Sequence, residues 1–176
     1  MRRVVSVLLA STFLVAMAAP VAGAATPIDE RRVRTSLELE SFTIPADPEF
    51  TCAFDVLLED FDGRITHVLI TEDRHGNVLE RVIYHTLTRY TNVSTGDSFE
   101  RRFDSVVNIT TWADGSGRII TRNDALFVGG EPSTVAPGIY LVDHGRTLDE
   151  FDAEGNLVVQ EILSADQVID VCAELS

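Results

Sequence analysis

Apolar and polar positions alternate along most of the chain from Thr51 onward. Cys52, Phe54, Val56 and Leu58 interleave with Asp55 and Glu59, the two-residue period of a half-buried strand. Further apolar runs cover 65–70, 78–87, 99–109, 118–128, 139–142 and 157–163, rich in the β-branched and aromatic residues that favour extended backbone. Turn sequences separate them: Asp60-Phe61-Asp62-Gly63, Asp73 to Asn77, Ser94 to Asp97, Asp114 to Gly117 and Asp152 to Asn156. An Asp followed three residues later by Gly suits a type I turn with Gly in the left-handed position, the three-residue hairpin loop. The pattern predicts an all-β, antiparallel meander of seven or eight strands, with a longer loop from Gly129 to Gly138. The uneven spacing of Gly63, Gly76, Gly96, Gly117 and Gly155 argues against a repeat array.

The flanks read differently. Residues 25–49 form a leader, charged from Asp29 to Arg34, with an edge-strand pattern at Leu37, Leu39, Phe42 and Ile44 that Pro45 and Pro48 end. At the other end Ser164 and Gln167 make a capping box. Val168, Val171, Cys172 and Leu175 then share one helical face, predicting a short C-terminal helix with Cys172 turned inward. A meander has two exposed edges. Closing it into a small up-and-down barrel removes both, and a two-sheet β-sandwich is the alternative.

Residues 1–24 change where this fold is expected to work. Arg2 and Arg3 precede an apolar run from Val4 to Ala19, Pro20 ends it, and Ala22-Gly23-Ala24 offers small residues for cleavage. This is the pattern of a secretory signal peptide cut after Ala24 or Ala25, its core too short to span a bilayer. With no second long apolar run, no membrane span is expected after cleavage. The domain proper is then 50–176. An exported chain meets oxidising surroundings, so the only two cysteines, Cys52 and Cys172, are expected to pair. The formal net charge of -14 argues against nucleic acid and against an anionic membrane as partners.

The segments Phe50 to Val56, Thr91 to Ser98, the hairpin Phe151 to Leu157 and the ending Asp170 to Ser176 together resemble a group of small secreted actinobacterial proteins of unknown function. The resemblance covers about residues 50 to 176. It implies an extracellular, disulfide-closed β-rich domain and carries no functional residues to transfer.

Candidate chemistry is sparse. If Asp73 pairs with Asn77, Ile65 faces His85 and His67 faces Ile83, making His67 and His85 diagonal neighbours with Arg81 nearby, a candidate polar cluster. Glu150 to Glu161 has calcium-loop spacing but Glu where Asp belongs and strands where helices belong, so it reads as a plain hairpin and no metal site is expected. No nucleophile elbow, phosphate loop or dinucleotide fingerprint occurs, and no cofactor is implied. Phe54, Val56, Phe99 and Phe103 are candidate lining for a cavity, or else packed core. The leading expectation is a noncatalytic extracellular binding domain whose partner is a cell-envelope component or a protein. The alternatives are a calyx for a small apolar ligand and a barrel enzyme of isomerase or hydrolase type.

Overall fold

The structure is a computed structural model and describes residues 33–39 and 41–176. The expected signal peptide and the first residues behind it lie outside these. Nine antiparallel strands form one sheet: β1 (Val33–Leu37), β2 (Ser41–Ile44), β3 (Val56–Glu72), β4 (Val78–Asn92), β5 (Ser98–Thr111), β6 (Gly117–Val128), β7 (Ile139–Phe151), β8 (Leu157–Ser164) and β9 (Gln167–Asp170). A short helix, α1 (Val171–Glu174), the only one among the described residues, follows. The order is β1-β3-β4-β5-β6-β7-β8, with β2 continuing the β1 border along β3 and β9 continuing the β8 border along β7. No ladder joins the two borders among the described residues, so the sheet is open and the hydrogen-bonded closure of a barrel is not formed. Among the described residues no helix is long and apolar enough to cross a membrane.

Asp73 to Asn77 and Asp152 to Asn156 turn as their chemistry dictates, whereas the turn expected from Asp114 to Gly117 lies two residues earlier, with Gly115 as the left-handed glycine and Gly117 opening β6. Gly76 and Gly155 sit at φ 83°, and Gly115 at φ 91°. Each donates its N–H to the residue three before it, Asp73, Asp152 or Trp112. Asp60 to Gly63 does not turn. It lies inside the 17-residue β3, where Phe61 is an extra residue in the register and Gly63 takes φ 115°. A Cβ on Gly63 would collide with the His85 carbonyl oxygen, which is why glycine stands there. The leader segment supplies β1 and β2, which pair along β3 on either side of this bend. The C-terminal helix is shorter than expected. Residues 167–170 pair with β7 as β9, and Asp170 caps α1 by accepting the Ala173 N–H at 3.1 Å.

The sheet is continuous at one end and parted at the other. The β5–β6 ladder stops at Ser105 opposite Asn123. Below it β5 pairs only with β4, and residues 125–128 of β6 pair only with β7. The two flaps pack on each other: Val56, Leu58 and Tyr90 from one meet Ile139 and Leu141 from the other, sealed by Ile44, Val171 and Leu175. Cys52 is bonded to Cys172 inside this cluster, with Cα atoms 5.4 Å apart. In the continuous half Ile65, Val82, Ser105, Thr121 and Thr147 are all buried on one face, which is therefore the inner one.

Candidate functional site

Where β5 and β6 part, polar side chains converge from four strands, β4 to β7. Asn123 at φ 69° and His144 at φ 45° bend β6 and β7, a left-handed backbone that costs roughly 1–2 kcal/mol outside glycine. Gly145 completes the bend, because a Cβ there would strike the Val142 side chain and the Ser164 carbonyl. The bend leaves Asp124 without a partner opposite it, and its carboxylate replaces the missing rungs. It accepts the Asp104 N–H of β5 at 2.8 Å and the His144 N–H of β7 at 3.4 Å. Arg101 of β5 reaches across the gap to pair with Asp143. Asp104 takes Arg102 at 2.6 Å and faces His85 Nδ1 at 2.7 Å. Together Arg101, Arg102, Asp104, Asp124, Asp143 and His144 line an open cleft of about 260 Å³.

The electrostatics follow from these contacts. Burial pushes the Asp124 carboxyl above the usual carboxylate range, and the Asp143 carboxyl beside it adds to the rise. Hydrogen bonds from Arg102 and then His85 hold Asp104 below that range. Burial in the flap core also raises the Tyr90 hydroxyl. Below the seam Thr88 donates to Asp60 at 2.5 Å. Ligand atoms of Asp124, Asp143 and His144 lie within 4.8 Å of one another, two carboxylates and an imidazole of the types that ligate divalent metal ions. Arg101 already holds Asp143, however, so a cation would have to displace a guanidinium.

The candidates read from sequence fall elsewhere. Asp73 does pair with Asn77, but Ile70 is an extra residue in β3 and shifts the register by one. Ile65 therefore faces Tyr84, His67 faces Val82 and His85 faces Arg64. His67 points inward and bonds Glu80 at 2.8 Å, whereas His85 and Arg81 lie on the outer face, Arg81 bonded to Asn108. The three do not form a cluster. Val56, Phe54 and Phe99 belong to the packed contacts of the flap core, Phe99 stacked on Tyr90 at 5.0 Å, and Phe103 lies edge-on to Tyr84. Glu150 and Glu161 lie on neighbouring strands beside the Asp152 hairpin. Sequence reasoning missed the seam. Its signal was the polar pair Asn123-Asp124 and the run Asp143-His144-Gly145 inside otherwise alternating strands. No protein-family model, curated protein or solved structure matches this chain.

Proposed function

We propose that the chain is an exported, noncatalytic binding domain that acts through its surface on a protein or cell-envelope partner. The observation that carries this reading is the mutual pairing of the seam's charged groups. Arg101 is taken by Asp143, Arg102 and His85 by Asp104, and Asp124 by two backbone N–H groups. Groups so engaged hold β5 against β6 and β7. The Cys52–Cys172 bond supports an oxidising compartment, in keeping with the basic and apolar N-terminal sequence. Native mass spectrometry of the protein collected from its host's medium tests the reading. The expected result is a chain beginning at Ala25 or Thr26, disulfide intact and carrying a protein or envelope fragment. A small apolar molecule held in its place would favour the calyx, and an uncleaved cytosolic chain would overturn export.

One observation favours a second reading, a hydrolase or isomerase. Asp124, whose carboxyl burial raises above the usual carboxylate range, lies beside a second carboxyl, Asp143, and paired carboxyls with one raised are an arrangement used in acid–base catalysis. That reading requires turnover that Asp124→Asn abolishes while the fold stays intact.

A further inference from the structure

The outer face of the continuous half has a charge pattern opposite to that of the chain. Side chains alternate across the sheet, and the register places Arg34, Arg64, Arg81, Arg118, Arg122 and Arg146 on this face. The carboxylates on the same face are fewer: Asp62 and Asp104 at its lower border, Asp104 already bonded to Arg102 and His85, and Glu150 and Glu161. The whole chain carries a net charge of -14. Cations are thus segregated onto one surface.

Arg122 and Arg146 are direct cross-strand neighbours, both exposed, with no ion pair or hydrogen bond among the described residues. Like charges placed opposite each other weaken a sheet. A fold that keeps such a pair breaks a local rule where function compensates. Arg34 and Arg64 are likewise exposed and unpaired among the described residues, and with His85 they wall a groove of about 220 Å³ floored by Thr66, Val68 and Ile83.

Between the arginines the surface is aliphatic. Ile83, Val106, Ile120 and Leu148 are half-buried on this face, and Trp112 stands at its rim under the Arg118 guanidinium, 5.9 Å from the ring centroid. Arginine and tryptophan over an apolar centre is a composition enriched at protein–protein interfaces. Seven strands about 4.8 Å apart and roughly seven residues tall give about 700 Å², close to the roughly 800 Å² per partner of a stable complex. A long polyanion would meet the repulsion of the whole acidic chain, whereas a protein can present acid locally.

We propose that this outer face docks a protein partner through an acidic patch, one aspartate or glutamate side chain seating between Arg34 and Arg64. The inference rests on the binding-domain reading and names its surface and partner. The probe is a fluorescent peptide of alternating glutamate and leucine, followed by anisotropy with disulfide-intact protein at 0.15 M salt. Both R122E/R146E and R34E/R64E should weaken binding about tenfold or more. The control R74E, on the Asp73 hairpin, should leave it within about twofold. Unchanged melting temperatures certify the folds. No binding by the parent protein, equal loss in the control, or tighter binding of heparin would overturn the proposal. A photo-crosslinker at Ile120, and another at exposed Val93 on the opposite end, separates the two levels in host medium. An adduct from Ile120 that R122E/R146E removes supports the docking face. An adduct from Val93 alone overturns this face and keeps the binding domain, and none from either position overturns both.

Discussion

Replacing both cysteines, as C52A/C172A, probes what holds the open sheet together. The bond spans a sequence separation of 120 residues. Loop-closure entropy for a ring of that size corresponds to about 5 kcal/mol at 25 °C. Cys52 is 2% exposed within the flap core, so truncation adds about 1 kcal/mol of lost packing. The expected loss is therefore about 5–6 kcal/mol, and the melting temperature should fall by roughly 10–20 °C. Guanidinium unfolding followed by the single tryptophan, Trp112, and by circular dichroism measures it. The slope against denaturant should also rise, because the uncrosslinked chain exposes more surface when unfolded. A loss below about 2 kcal/mol with an unchanged slope would refute the reasoning, because the flaps would then hold through their side-chain packing alone.

Other outcomes follow from single positions. Gly63→Ala should cost about 3 kcal/mol, since a Cβ strikes backbone at φ 115°, whereas Gly155→Ala at φ 83° in open space should cost about 1 kcal/mol; urea midpoints compare them. Tyr90→Ala should cost about 3–5 kcal/mol in the same assay, because Tyr90 is 1% exposed and stacked on Phe99. Burial raises the Asp149 carboxyl from its ordinary value of 3.8. Its protonated form therefore stabilises the fold at low pH, and that contribution is lost as pH rises through the folded-state value. Asp149→Asn should be more stable than the parent at pH 7, with the gain vanishing as pH falls below the ordinary carboxylate value; a constant difference from acid to neutral pH would contradict this.

Most of the strands were legible because one buried face imposes strict alternation, and the hairpin turns because Asp and Gly have a mechanical role at fixed positions. The disulfide was legible from cysteine count and expected compartment. Three features escaped for one reason, that pairing partners decide local conformation. Asp60 to Gly63 carries turn chemistry, yet β2, β1 and β4 on its two sides keep it extended with Phe61 as the surplus residue. Ile70 is apolar like its neighbours and gives no sign that it shifts the register. Residues 167–170 fit a helix as well as a strand, and β7 settles them as strand. The seam was harder still, since Arg101 and Asp143 are 42 residues apart and meet only because β5 and β6 separate. The barrel was expected as the remedy for exposed edges. The fold instead breaks both borders in two, β1 from β2 and β8 from β9, and adds the bulged residues Val158 and Leu163 to β8, which blunts edge-to-edge pairing.

The bond between Cys52 and Cys172 also fixes how the molecule would respond to tension. A pull applied to β1 and β2 on one side and to the residues after 172 on the other travels through the sulfurs and bypasses everything between them. The 120 residues behind the bond amount to about 400 Å of extended chain that stays slack while the bond is intact and is released only on reduction. A domain tethered between two bodies outside a cell would keep the strands β3 to β9, and the arginines they carry, out of the line of force, with Arg34 of β1 alone on the pulled side.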